Sequence, residues 1–157
     1  MTKTFSGYER KLDVELKIRR ASMSDLPHLT ELYGSLNDDD LYMRFFIYHR
    51  VSEEEVKRIL AQEDHVTLLA ERDDKIVGEG SLFTNGEFSL VVRREHRRMG
   101  VGTKIVESLI EEAKARRIKM LIFYTLPNNY PMIAIGRKLG FTLKFDEDEV
   151  IGTKVLL

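Results

Sequence analysis

Between two strand-like apolar runs, "EFSLVV" and "IKMLIFYTL", the chain carries "GVGTKIVESLIEEAKARR", which reads as an amphipathic helix. Val101, Ile105, Leu109 and Ala113 recur at every fourth position, with Val106 and Ile110 beside them. Cations gather at its C-terminal end, where the helix dipole favours them. A strand–helix–strand step of this length predicts a parallel pair of strands. The second run is almost continuously apolar, which predicts a buried, central strand.

Upstream, "HVTLLAER", "KIVGEGSLF" and "EFSLVVRR" are separated only by Asp73-Asp74 and by "TNG". Asn85-Gly86 between apolar runs is a strong hairpin signal, so these strands are antiparallel neighbours and the sheet is mixed. "VELKIRRAS" alternates as a strand. "SDLPHLTELYGSL" reads as a helix with Ser24 as N-cap, and "SEEEVKRILAQ" as a second, with Ser52 and Glu55 forming a capping box. Between them "NDDDLYMRFFIYHR" predicts a short helix burying Leu41, Phe45 and Phe46, which also walls a substrate cleft in the alternative reading. "YPMIAIGRKLG" is a helix ended by Gly140, and "FTLKF" and "EVIGTKVLL" are strands around "DEDE". The expectation is one α/β (α+β) domain over residues 1–157, residues 1–13 being loosely held. Its single mixed, mostly antiparallel twisted sheet has about seven strands flanked by about four helices.

With a net charge of -1, bulk electrostatics do not argue for nucleic acid. The absence of cysteine excludes disulfides, thiolate nucleophiles and cysteine-based metal sites. His28, His49, His65 and His96 show no ligand spacing, so no metal is expected. No apolar run or signal core points to a membrane or to export, and a cytoplasmic protein is expected.

The local exception is "RREHRRMGVGTK". A helix opening on "MGVGT" leaves several N–H groups without intrahelical partners, and the dipole favours an anion there. Gly100 and Gly102 remove the Cβ atoms that would keep a phosphate away. Arg97, Arg98 and the Thr103 hydroxyl can add hydrogen bonds. The stretch fails the Walker pattern, because Thr103-Lys104 follow Gly102, and the dinucleotide pattern, because Ile105 replaces the third glycine. What remains is R-x-x-G-x-G, Arg97 to Gly102.

That motif, after a strand and opening a helix, resembles the acetyl-CoA pyrophosphate motif of the GCN5-related N-acetyltransferases. So does "NNYPMIAIGRKLGF", with Asn129 eleven residues before Gly140. "DLYMRFF", "EDHVTLLAE", "GEFSLVV" and "IGRKLGF" further resemble the small archaeal protein lysine acetyltransferases of the Pat group and the acetyltransferase domain of larger bacterial enzymes. The resemblance implies the GNAT fold and acetyl-CoA as cosubstrate. It implies an acceptor lysine on a protein, with the DNA-binding chromatin protein Alba as a candidate, and no direct contact with nucleic acid or membrane. Arg97, Arg98, Met99, Gly100, Val101, Gly102 and Thr103 would then hold the pyrophosphate. Leu90, Val91 and Val92, on a bulged strand, would meet the acetyl and pantetheine groups, and Asn129 the pantetheine arm.

Acetyl transfer to an amine needs a neutral nitrogen, and a carboxylate can take the proton. Glu87, at the start of the strand leading into the motif, is the first candidate base, through water; Glu79 is the second. Without cysteine, direct attack in a ternary complex is the simplest route. Many relatives carry a tyrosine acid seven residues after the motif asparagine; here that position is Gly136. Arg93 and Arg94 are left as strand-end charges or as a rim for the acceptor. Acetylation of a small amine or a protein N-terminus is an alternative, as is an acyl-CoA sensor without turnover.

Overall fold

A computed structural model describes residues 15–157. The expectations for residues 1–13 and for Val14 lie outside them. The described chain runs β1 (Lys17–Arg20), α1 (Leu26–Gly34), α2 (Asp38–Phe45), α3 (Glu53–Ala61), β2 (His65–Arg72), β3 (Lys75–Phe83) and β4 (Phe88–Val92). It continues through α4 (Val101–Ala115), β5 (Met120–Thr125), α5 (Tyr130–Lys138), β6 (Thr142–Phe145) and β7 (Val150–Val155).

The strands form two sheets rather than one. The first is ordered β1-β2-β3-β4 and the second β5-β7-β6, all paired antiparallel within each sheet. The expected parallel pair of β4 and β5 shrinks to one bridge, Glu87 with Ile122. The Asn85-Gly86 turn explains where it sits. Gly86 has φ +91°, and a Cβ there would lie 2.1 Å from the Met120 carbonyl oxygen. Only glycine lets β5 pass this close to the hairpin.

Two apolar layers enclose the first sheet. On one face Val66, Leu68, Ala70 and Phe88 pack with Ile105 and Leu109 of α4, continuing to Phe123 and Phe141. On the other, Leu69, Ile76 and Val91 pack with Leu29, Leu32, Leu41, Val56 and Leu60 from α1–α3. The second sheet is buried on one side only. In β5, Leu121, Phe123 and Thr125 are buried while Met120 is exposed and Ile122 and Tyr124 are half-buried, so the strand is not the doubly buried one its composition predicts. β5 is an edge strand of the second sheet, paired along its length with β7 and with β4 through one bridge.

Caps set the helix boundaries. Ser52 and Glu55 form the predicted capping box of α3. The entry to α1 is fixed by Ser22 instead of Ser24, its N–H donating to the Asp25 carboxylate at 2.9 Å before a single 3-10 turn. In α2, Leu41 is buried and Phe45 packs against the core as expected. Phe46 does not: it ends the helix at φ +58° and is exposed. Arg44 is buried in its stead. Among the described residues no helix is long and apolar enough to cross a membrane, and no cluster of three or more His, Asp or Glu could hold a metal.

Candidate active site at the opening between the sheets

β4 offers its main chain to the opening. Phe83 N–H donates to Glu87 C=O at 2.8 Å and Arg93 N–H to Val77 C=O at 2.6 Å. Together with the register of Ser81 on Ser89 and Glu79 on Val91, this assigns the odd-numbered residues to β3. By antiparallel alternation the N–H and C=O groups of Phe88, Leu90 and Val92 point the other way, toward β5. There Ile122 N–H donates to Gly86 C=O at 3.0 Å, and above that bond the strands part. The register from Phe88 to Val92 runs unbroken, so the bulge expected in β4 is absent; the irregularity lies between β2 and β3, at Ala70/Glu71.

The start of α4 crowns this opening. Lys104 N–H donates to Gly100 C=O at 3.1 Å, so the N–H groups of Val101, Gly102 and Thr103 precede the first helical bond. Gly100 has φ +81° with nothing within 4 Å of where a Cβ would be, which leaves open space above the helix start. Gly102 acts differently from its expected part. A Cβ there would meet Ile135 Cδ1 at 2.9 Å and then Leu90, so this glycine lets α5 close against α4. Arg98, at φ +64°, and Met99 are exposed beside it.

The four arginines separate by role. Arg93 is buried: its guanidinium donates to the Glu31 carboxylate of α1 at 3.0 Å and to Ile76 C=O at 3.0 Å. That bond holds the Glu31 carboxyl below its ordinary range. Arg93 is therefore an internal strut, not a rim. Arg97 donates through Nε to Val92 C=O at 2.9 Å, and its Nη2 lies 2.9 Å from the Asp40 carboxylate of α2. Arg94 reaches the same carboxylate at 3.5 Å.

Glu87 stands at the closed end of the opening, exposed, in a shallow hollow with Asp64, Phe83 and Thr84. Glu79 is wholly buried and ion-paired with Arg44, whose Nη2 also donates to Ser81 Oγ at 3.2 Å. Asn129 caps α5, accepting from Met132 N–H at 3.4 Å and donating to Thr125 Oγ1 at 2.9 Å. One amide hydrogen is left over. Gly136 faces inward: a Cβ there would lie 3.0 Å from Phe123 Cζ and 3.2 Å from Leu143. No tyrosine fits at that position. Tyr124 is half-buried on β5, and Tyr130 is exposed at the first turn of α5.

A family model described as the acetyltransferase (GNAT) family matches residues 30–141. The chain belongs to the GNAT family. The GNAT domain of S. lividans PAT superimposes with a TM-score of 0.82 at 24% identity over 90% of each chain. The ribosomal-protein-alanine N-acetyltransferase of Brucella melitensis gives 0.75 at 27% identity, over 89% of this chain and 99% of its own. The yncA protein of Salmonella typhimurium, solved with acetyl-CoA, gives 0.75 at 20% identity over 90% and 94%. This GNAT domain is an acetyl-CoA-dependent N-acetyltransferase. The parted strands and the uncapped α4 fit acetyl-CoA: a cleft with free main-chain groups leads to a bare anion cradle.

Sequence reasoning missed the contacts that organise this GNAT site. Asp40 is one of three consecutive aspartates at the acidic start of a predicted helix, and neither it nor Glu31 was a candidate site residue. Neither carries a local signal, because each meets its arginine only through the fold.

Proposed function

We propose that this acetyltransferase acts on a lysine side chain of a protein, as a single domain over residues 1–157 working in the cytoplasm. The observation that carries this reading is Gly136. Its packing against Phe123 bars the tyrosine acid of many relatives, and the lysine-acetylating members that the sequence resembles often lack that residue. The likeness to the GNAT domain of S. lividans PAT supports it. Alba, a basic chromatin protein, is the candidate acceptor.

A lysine amine has a pKa of about 10.4, so about one in 2,500 is neutral at pH 7, a deficit of about 4 to 5 kcal/mol. Glu87 is the base. It lies three residues from Leu90, about 10 Å along a strand rising about 3.3 Å per residue, so it works through water. Glu79 has no solvent exposure and a guanidinium against it, a poor position from which to receive a proton. The Leu90 N–H, turned toward the opening, stabilises negative charge growing on the thioester carbonyl. Val92 flanks the pantetheine arm and Asn129 gives it the spare amide hydrogen, whereas Val91, expected to join them, pairs with Glu79 of β3 and is buried against α1–α3. The N–H groups of Val101, Gly102 and Thr103, with Arg97, Arg98 and Met99 around them, hold the pyrophosphate. The amine nitrogen bonds to the acetyl carbon as the carbon–sulfur bond breaks. A thiol with a pKa of about 8.5 leaves tolerably as thiolate and takes its proton from water.

Thiol release with acetyl-CoA tests the reading. Supply a basic DNA-binding protein, a lysine peptide with a blocked N-terminus, a free-N-terminus peptide without lysine, and polyamines. Turnover on the blocked lysine peptide and the protein is expected; turnover on amines of other classes alone overturns it. The likeness to the Brucella alanine acetyltransferase favours one second reading, acetylation of a protein N-terminus, which the lysine-free peptide detects.

A further inference from the structure

The motif arginine that should greet the pyrophosphate is already held by an anion of the protein. Arg97 has its Nε on Val92 C=O at 2.9 Å and its Nη2 beside Asp40 Oδ1 at 2.9 Å. Asp40 is nearly buried, with 11% of its side chain exposed against 35% for Arg97. It is itself held: its N–H donates to Asn37 Oδ1 at 2.8 Å, and its Oδ2 accepts from Asn37 N–H at 3.3 Å and from Arg94 at 3.5 Å. A fixed carboxylate on α2 thus fixes a guanidinium on the loop before α4. Two contacts leave the Nη1 edge of the fork unused. Its hydrogens are open to a ligand oxygen.

We infer that Asp40 is a positioning residue for acetyl-CoA, which orients Arg97 so that its free edge meets the pyrophosphate. The inference rests on the cofactor placement proposed above. An arginine side chain free in solvent must lose rotamer freedom when a ligand arrives; one already hydrogen-bonded at Nε and ion-paired at Nη2 has lost part of it beforehand. The cost is a negative charge near the phosphates, which Arg94 and Arg97 share between them. Asp40 also caps the first turn of α2, so that helix and the loop before α4 are joined through one carboxylate.

The test is a double-mutant cycle on the full chain, read by calorimetric CoA binding and by steady-state kinetics. Asp40→Asn keeps an oxygen for the Asn37 cap but removes the charge. It is expected to raise the CoA Kd and the KM for acetyl-CoA about threefold to tenfold, with kcat within about twofold. Arg97→Lys keeps the charge but lacks the fork. In that background Asp40→Asn is expected to change the CoA Kd by less than about 1.5-fold. Thermal melts of all four proteins record any loss from the cap separately. An unchanged or tighter Kd in Asp40→Asn, or the same loss with lysine at position 97, overturns the inference while leaving the acetyl-CoA site intact. Failure of the wild-type chain to bind CoA overturns the cofactor placement itself, and the inference with it.

Discussion

The Ile122 N–H donates to the Gly86 carbonyl at 3.0 Å, and that bond marks the apex at which the two sheets part. The candidate site residues are arranged by distance from it. Glu87 adjoins the apex, the main chain of Leu90 and Val92 lines the opening, and the start of α4 stands at its wide end. A carboxylate at the apex and an anion cradle at the mouth predict separable losses. Glu87→Gln should lower kcat at neutral pH by about a hundredfold while the CoA Kd stays within about twofold. The deficit should narrow as pH rises toward the pKa of the amine. Rate profiles from pH 6 to 9 at saturating acetyl-CoA check this; a variant matching wild type throughout that range means the base lies elsewhere.

At the mouth the two glycines should fail for different reasons. Gly102→Leu drives a side chain into Ile135 and Leu90, so it should weaken CoA binding more than tenfold and lower Tm as α5 is pushed off α4. Gly100→Ala meets no neighbour but is forced to φ +81°, costing about 1 to 2 kcal/mol of stability. Melts and CoA titrations of both variants, with Gly102→Ala as the mild control, separate packing from backbone. CoA affinity retained in Gly102→Leu contradicts the cradle.

How much of this could be read beforehand follows from where each determinant resides. The α4 stripe, the Asn85-Gly86 turn and the Ser52 box are local: each is written within a few residues and each is found in place. The R-x-x-G-x-G motif is local too, and it leads into the helix start where the sequence placed it. The splay of β4 from β5 was not, since apolar runs specify burial but not which edge stays unpaired. Arg93 meeting Glu31 and Arg97 meeting Asp40 join charges from different elements, and identical charges on a solvated face look the same in sequence. Gly136 was legible as a departure; that it faces Phe123 was not.

The pair of Arg44 and Glu79 should behave as a buried ion pair does. Glu79→Gln leaves Arg44 charged and uncompensated beneath α2, and Arg44→Met does the same to Glu79, so each alone should cost about 3 to 5 kcal/mol. The double variant should cost less than the sum, because removing both charges removes the orphan. Urea melts at pH 7 measure the cycle. Strict additivity rejects the pair as the unit. Loss of turnover in a well-folded Glu79→Gln instead gives Glu79 a part in chemistry.

The acid limb of stability should run through Asp25. Its carboxyl is held below the ordinary range, first by its hydrogen bonds from Arg19, at 2.9 and 2.7 Å, and further by the Ser22 N–H, against the opposing effect of burial. A carboxylate depressed on folding contributes stability in full above its unfolded pKa, about 3.9, and loses it as pH falls through the lower folded value. Arg19→Gln should therefore lower Tm at pH 7, by an amount corresponding to about 1 kcal/mol once the partial exposure of Arg19 is allowed for. The difference between variant and wild type should persist down to about pH 4 and close below it. Thermal melts from pH 7 to pH 2 follow it directly. A gap that stays constant to pH 2 would mean that Arg19 stabilises by packing its stem and not through the charge of Asp25.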